Sequence, residues 1–170
     1  STYLINPATP KDELWQKSKN GLIEDYYRTK VIGGKFLVLH PGSHTGKGRD
    51  FGIERISQMI NQVLTEVDND VILLLENVVG AGTKIGSKFS ELYAIMNNIE
   101  DKDRIGICID TCHAFAAGYD VSTLSGIDKM IDEMVDYFDI DKLKIIHIND
   151  SKYELNSNKD EHAHIGDGKI

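Results

Sequence analysis

Imidazole and carboxylate side chains recur at the ends of apolar segments in this sequence. Each of four short apolar runs ends in, or is followed at once by, a residue that can bind a metal ion: His40, Glu76, Asp110 and His147. These residues are 36, 34 and 37 positions apart, a spacing typical of one strand and one helix each time. An apolar strand has no packing reason to end repeatedly in a charge or an imidazole. Mixed nitrogen and oxygen ligands suit zinc best, with manganese or iron next, so the pattern predicts a metal site.

A second group of possible ligands lies in the polar loop that follows the last apolar run. Asp160 and His162 alternate there, and in an extended segment their side chains would point the same way. Together with His113, which stands three positions after Asp110, they form a plausible three-ligand set. The alternative is a solvated polar loop, and without the other ligands it would be the better interpretation.

Other polar residues near these positions have weaker indications. His44, in a glycine-containing turn after His40, could support the site, contact a substrate or have no role, and His164 is similarly open. Cys108 and Cys112 are expected to pack near a strand end rather than bind metal. A metal-binding histidine usually donates its other ring nitrogen to a nearby acceptor, and Asp150 is a candidate for that acceptor.

Strands and helices are predicted to alternate along the chain. Short continuous apolar runs are typical of buried parallel strands, and the predicted strands are Phe36–Leu39, Val71–Leu75, Ile105–Ile109 and Leu143–Ile148, with Tyr3–Asn6 as a weaker fifth candidate. The predicted helices are a first one capped by Thr9 and running to about Val31, then Ile53–Val67, Lys88–Ile99 capped by Ser87, and Gly126–Phe138. This alternation predicts a parallel sheet, and the carboxyl ends of parallel strands form the active face of such folds.

Composition sets limits on the class of protein. The 170 residues are 41% hydrophobic and are expected to form a single domain, 1–170, with no membrane span. Two cysteines fit a reduced intracellular setting better than a disulfide scaffold. The formal charge of −8, from 27 acidic and 19 basic residues, argues against a nucleic-acid binder. That argument weakens if several acids hold divalent cations.

With these motifs together, the sequence resembles the endonuclease IV family of zinc-dependent apurinic/apyrimidinic endonucleases. The matching segments run in order along the whole chain: Tyr3–Asn6, His40–His44, Leu75–Asn77, Ile105–Asp120, His147–Lys152, Asp160–His162 and Gly166–Gly168. The resemblance implies an α/β fold, an incomplete TIM (β/α)8 barrel of about five βα units. The family pattern places one more zinc-binding histidine just before Ser1 and a bridging glutamate beyond Ile170. A chain truncated at both ends is therefore expected, inactive or impaired as this fragment.

The resemblance also implies roles for individual residues. Three zinc ions are expected per complete protein, with Mn²⁺ or Fe²⁺ as possible substitutes. Glu76 is implied to bridge two of them, His40 to help hold the first, and Asp110 and His147 the second, so that Glu76, Asp110 and His147 carry the catalytic roles. The implied ligand set of the third ion is His113, Asp160 and His162. Tyr3 and Leu4 match residues that probe the DNA minor groove around the lesion.

The implied function is hydrolysis of the phosphodiester 5′ to an abasic site in double-stranded DNA, a step of base excision repair. The complete protein is expected to be a monomer, cytoplasmic and nucleoid-associated in a bacterium, or nuclear or mitochondrial in a eukaryote. One alternative is a metal-dependent sugar isomerase or epimerase of the same barrel type, which would not need the third ligand set. Another is a non-catalytic fragment that only binds metal or DNA.

Overall fold

A parallel four-stranded sheet forms the centre of the computed structural model, which describes residues 5–68 and 70–170. The strands are β1 (Phe36–Leu39), β2 (Ile72–Glu76), β3 (Ile105–Asp110) and β4 (Leu143–His147), each within one residue of its predicted bounds. They lie side by side in chain order. The register pairs Glu76 with Cys108 and Asp110 with His147. The carboxyl ends of β2, β3 and β4, which carry the polar residues, therefore lie together at one end of the sheet.

Helices connect the strands, as the predicted incomplete barrel requires. They are α1 (Asp12–Val31), α2 (Arg49–Glu66), α3 (Phe89–Asn97), α4 (Thr111–Ala116) and α5 (Leu124–Val135), and short 3-10 helices at Lys102–Arg104 and Ile140–Lys142 precede β3 and β4. A two-stranded antiparallel ribbon, β5 (Asp150–Ser151) with β6 (His162–Ala163), lies in the polar loop after β4. Among the described residues no helix is both long and apolar enough to cross a membrane.

The weaker fifth strand and two helix caps differ from the prediction. Ile5 and Asn6 are not in a strand, and the rest of that candidate lies outside the described residues. Helix α1 begins at Asp12 rather than directly after Thr9, because the Thr9 hydroxyl accepts the Lys11 N–H (3.3 Å) in a preceding turn and does not cap the helix.

Helix α3 is capped at Lys88 rather than Ser87. The reason is that the Glu91 carboxylate, inside the first turn, accepts the backbone N–H of both Gly86 (2.9 Å) and Ser87 (3.0 Å). Helix α5 begins two residues before the predicted Gly126, since the Thr123 hydroxyl accepts the N–H of Gly126 (3.1 Å). At α3 a neighbouring carboxylate outweighs the simple cap pattern, whereas α5 follows that pattern with a threonine cap.

The hydrophobic core lies between the sheet and its helices. All six residues of β3 are buried, and Leu73, Leu75 and Ile107 have no exposed surface. This burial on both faces explains why the central strands are continuously apolar in sequence. Strand β4 is less covered, and Ile146 is 53% exposed. The sheet therefore holds the ends of β2 and β3 rigidly and brings the end of β4 beside them.

Candidate metal centre

Glu76 lies between two imidazoles at the carboxyl end of β2. Its Oε2 is 2.8 Å from His40 Nε2, and its Oε1 is 2.8 Å from His147 Nδ1. Burial acts to raise the pKa of Glu76, but the hydrogen bonds from His40 and His147 outweigh it and hold the pKa below its usual value. Each carboxylate oxygen therefore faces its own histidine, an arrangement suited to bridging two cations.

Asp110 occupies the equivalent place at the end of β3. It is 1% exposed, and its Oδ1 accepts the backbone N–H of His113 (3.1 Å) in the first turn of helix α4. Its Oδ2 lies 3.9 Å from both His147 Nδ1 and His162 Nε2. One oxygen thus fixes the local backbone, and the other accepts the side-chain amide of Asn149 (2.5 Å) and is directed towards imidazoles from β4 and β6.

His113 is buried between a backbone carbonyl and a carboxylate. Its Nδ1 is 2.9 Å from the carbonyl oxygen of Asn77, and its Nε2 is 3.2 Å from Asp160 Oδ1. Donation from Nδ1 to the carbonyl would leave the Nε2 lone pair for a metal, which is how metal-bound histidines are usually oriented.

The charges around His113 favour a cation at this point. Burial acts to lower the pKa of His113, but the hydrogen bond that its ring donates to Asp160 and the charges of Asp110 and Glu76 raise it above its usual value. The hydrogen bond to His113 in turn lowers the pKa of Asp160 to about 2. Carboxylates that stabilise a proton on an imidazole would also stabilise a divalent ion in its place.

Hydrogen bonds to Asp150 hold the end of the loop that contains Asp160 and His162. Strand β6 pairs His162 with Ser151 of β5, and His162 Nε2 lies 3.6 Å from Asp160 Oδ1. Asp150 accepts backbone N–H groups from Ser151 (2.7 Å) and from three positions at the end of the loop, residues 166, 168 and 170 (2.9–3.0 Å). The expectation that Asp150 orients a histidine is wrong in this structure, because these N–H groups occupy its carboxylate and the Asn77 carbonyl orients His113 instead.

The whole chain matches one family of known proteins. The sequence profile of the family described as xylose isomerase-like TIM barrels matches residues 1–170. This chain belongs to that family. The observed parallel sheet and interleaved helices are thus part of a TIM barrel, as predicted.

Within these barrels the resemblance to endonuclease IV is confirmed. The probable endonuclease 4 of Halothermothrix orenii is 58% identical over 170 residues, which are 100% of this chain and 61% of that protein. The crystal structure of endonuclease IV from Thermus thermophilus superposes with a TM-score of 0.83 at 34% identity, covering 99% of this chain and 58% of that one. This chain therefore spans about three fifths of the length of such relatives.

A D-tagatose 3-epimerase-like protein has a similar fold. Its crystal structure superposes with a TM-score of 0.81 and covers 100% of this chain and 60% of its own, at only 18% identity. A likeness at that identity extends to the fold alone. The function must therefore be argued from the side chains at the strand ends of this barrel.

The donors at the strand ends of this barrel fit zinc. A zinc ion with tetrahedral ligands at about 2.0–2.1 Å holds its ligand atoms about 3.3 Å apart. The distances from Asp160 Oδ1 to His113 Nε2 (3.2 Å) and to His162 Nε2 (3.6 Å) are close to that value. Each of the seven predicted ligands belongs to a group whose donor atoms lie within 4.8 Å of one another, but the groups that contain His147 and Asp110 are completed by Cys108 and Cys112: His40, Glu76, Asp110, His113, His147, Asp160 and His162. Their assignment as ligands remains a prediction.

Two thiols lie next to these donors. Cys108 is within 4.8 Å of donors on Glu76 and His147, and Cys112 of donors on Asp110 and His162. Burial, with the charges of Glu76 and Asp110, raises the pKa of Cys108 to about 12, and burial also raises the pKa of Cys112. Both therefore stay protonated in the metal-free protein, and the expectation that they pack rather than bind metal stays a prediction.

The remaining candidates have different surroundings. His44 Nδ1 accepts the backbone N–H groups of Gly46 (3.2 Å) and Gly48 (3.0 Å), so it shapes the loop after β1. His164 is exposed and belongs to no donor group within the described part of the chain. Tyr3 and Leu4, the predicted DNA contacts, lie outside the described residues.

Sequence reasoning missed Asn77 as a supporting residue of the site. Its side chain accepts the Asp110 N–H (2.7 Å) and donates to the Asp110 carbonyl (3.1 Å), while its own carbonyl faces His113. Asn77 is only 5% exposed. The one available signal was its position directly after Glu76 at the end of an apolar run.

Proposed function

We propose that the protein to which these residues belong is a metal-dependent DNA-repair endonuclease that hydrolyses the phosphodiester 5′ to abasic sites. The observation that carries the proposal is the third donor set, His113 with Asp160 and His162, beside the donors around Glu76. A sugar isomerase or epimerase of this barrel type has no need of it. The endonuclease 4 relatives support the same choice.

Three Zn²⁺ ions per complete protein are proposed, with Mn²⁺ or Fe²⁺ as substitutes. Glu76 would bridge two sites, one held with His40 and one with Asp110 and His147. Bound cations of this kind act as Lewis acids towards a phosphate and lower the pKa of a bound water. Glu76 has one oxygen towards each histidine, so it can hold two sites together while the rigid strand ends fix their separation.

The loop that contains Asp160 and His162 would complete the proposed site with the third donor set. Asp110 reaches both His147 and His162, so it links the pair around Glu76 to the third set. Asn77 holds the Asp110 backbone and the ring of His113 in one orientation. These residues would position the reacting phosphodiester by fixing the donors before substrate arrives.

Double-stranded DNA with an abasic site is the proposed substrate. A missing base leaves no base edge to read, so recognition must rest on backbone contacts and on the ease of deforming the duplex. Tyr3 and Leu4 are proposed to contact the minor groove at the lesion. The complete protein is further proposed to be monomeric and to act in the bacterial cytoplasm, in line with its bacterial relatives.

Nicking of a duplex with a single abasic site tests the proposal, with and without a chelator. The complete protein should nick 5′ to the site, bind three zinc ions and lose activity in the chelator. His162→Gln should remove one zinc and reduce the rate on the order of 100-fold or more. His164→Gln is the matched control, since it changes an exposed histidine of the same loop.

Three other outcomes would contradict the proposal. One zinc per chain together with epimerisation of a ketose would identify the sugar isomerase alternative. Metal and DNA binding without nicking, even in the complete protein, would identify a non-catalytic module. Equal loss of activity in His162→Gln and His164→Gln would remove the argument from the third donor set. The predicted inactivity of the 170-residue fragment is tested in the same assay.

A further inference from the structure

Acidic and basic residues are unevenly distributed between the loops at the metal face. The loop after β1 (residues 40–49) and the loop after β2 (residues 77–88) carry Lys47, Arg49, Lys84 and Lys88 but no aspartate or glutamate. The chain as a whole has a net charge of −8. These two loops, called the basic ribbon below, are thus a local positive surface on an acidic protein.

The basic ribbon is held together by hydrogen bonds between its two loops. Ser43 and Lys84 form an antiparallel bridge, and the backbone N–H of His44 donates to the Thr83 carbonyl (3.1 Å). The hydroxyl oxygens of Ser43 and Thr83 are 2.7 Å apart. The positions of its backbone are therefore fixed in advance, which lowers the entropic cost of binding a partner.

The free cations of the basic ribbon are Lys47 and Lys84. Arg49 is paired with Glu91 (2.9 Å), and the Lys88 ammonium donates to the Ala117 carbonyl (3.2 Å). Lys47 and Lys84 are exposed, and neither forms an ion pair with any carboxylate of residues 5–68 and 70–170. Neither ammonium is therefore held in a salt bridge within the described residues, so both can contact an external anion.

The basic ribbon leads directly into the metal centre. Its first loop begins with His40 and its second follows Glu76, and these two residues are 2.8 Å apart. An anionic chain lying on the ribbon would therefore continue past the proposed zinc ligands.

We propose that the basic ribbon binds the phosphodiester backbone of a nucleic-acid strand beside the metal centre, with Lys47 and Lys84 as phosphate contacts. This inference rests on the proposed function and assigns part of its DNA-binding surface. A strand carries one phosphate per nucleotide, so two lysines without an ion pair suit it better than a single small anion. Such contacts position a strand without reading its sequence.

Salt-dependent binding of an intact, fluorescent DNA duplex to the zinc-loaded protein tests this surface. The variant Lys47→Gln with Lys84→Gln should bind roughly tenfold more weakly, and the slope of log K against log[KCl] should become shallower by about 1.8, or about 0.9 for each lost phosphate contact. The control is Lys30→Gln, which removes one positive charge at the C-terminal end of α1, where Lys30 contacts Asp70. It should leave the slope unchanged.

Two results would overturn the inference. One is an unchanged slope in the double variant while thermal melting shows that it is folded. The other is displacement of the duplex by poly-glutamate as effectively as by unlabelled DNA, which would point to an acidic protein partner. If the double variant fails to fold, Lys47→Gln alone should make the slope shallower by about 0.9. Absence of nicking by the wild-type protein would reject the proposed endonuclease but not this binding surface.

Discussion

The Oδ2 atom of Asp150 lies 2.9 Å from the backbone nitrogen of Gly168, which is 18 residues further along the chain. A side chain on Gly168 would place its Cβ 2.3 Å from Asp150 Oδ1 and 2.4 Å from the Ser151 carbonyl oxygen, too close for either to remain in place. The glycine therefore permits the contact that closes the loop. That loop includes Asp160 and His162, so the position of the third donor set depends on Asp150. Asp150 itself belongs to no metal-donor group among the described residues.

Asp150→Asn should weaken zinc binding at the third set without removing a ligand. An amide offers one acceptor oxygen where the carboxylate has two, so some of the N–H groups at positions 151, 166, 168 and 170 lose their partner. Loss of such support typically lowers metal affinity about 10- to 100-fold. Competition with a coloured chelator measures the affinity. Asp167→Asn is the control in the same loop, and an equal effect there would contradict the prediction.

The contribution of Asp150 to stability should also depend on pH. Backbone hydrogen bonds, first from Ile170, outweigh burial and lower the pKa of Asp150 from 3.8 to about 2. A carboxylate with a depressed pKa stabilises the fold above its unfolded value and loses that contribution as the pH falls through its folded value. The difference in unfolding free energy between wild type and Asp150→Asn, both metal-free, should therefore shrink between about pH 4 and about pH 2. A constant difference across this range would show that the carboxylate charge is not responsible.

Asn77→Ala should destabilise the fold by about 1–3 kcal/mol, because it leaves the buried N–H and carbonyl of Asp110 without their side-chain partners. Chemical denaturation of the metal-free protein measures the change. Asn20→Ala on the exposed face of α1 is the control and should change the stability by no more than about 0.5 kcal/mol. An equally small change in Asn77→Ala would show that Asp110 is held by the strand alone.

The sequence predicted the sheet more completely than the contacts that support the site. Strand ends were readable because a continuous apolar run stops where a buried strand meets the polar edge, as at Glu76 and Asp110. The roles of Asn77 and Asp150 could not be predicted from the sequence. The hydrogen-bond partner of Asn77 is 33 residues away, and those of Asp150 are up to 20 residues away. Nothing local distinguishes an asparagine that clamps a neighbouring strand from one in an ordinary turn. The cap at Lys88 was missed because Glu91 satisfies the N–H groups at the start of the helix.

Tyr26→Phe should leave the protein as stable as the wild type or make it more stable, although Tyr26 is fully buried. Its hydroxyl has no hydrogen-bond partner among the described residues, and neither do the buried Nε and Nη2 atoms of Arg104, whose guanidinium lies 5.9 Å from the Tyr26 ring. Burial raises the pKa of Tyr26 far above its usual value, so the hydroxyl stays neutral.

Removing an unpaired buried hydroxyl while keeping the ring avoids its desolvation cost, so a gain of up to about 1 kcal/mol is expected. Tyr27→Phe, on the exposed face of the same helix, is the control and should be neutral. Thermal and chemical unfolding both report the change. A loss of more than about 1 kcal/mol in Tyr26→Phe would contradict the prediction and show that the hydroxyl makes a hydrogen bond in solution.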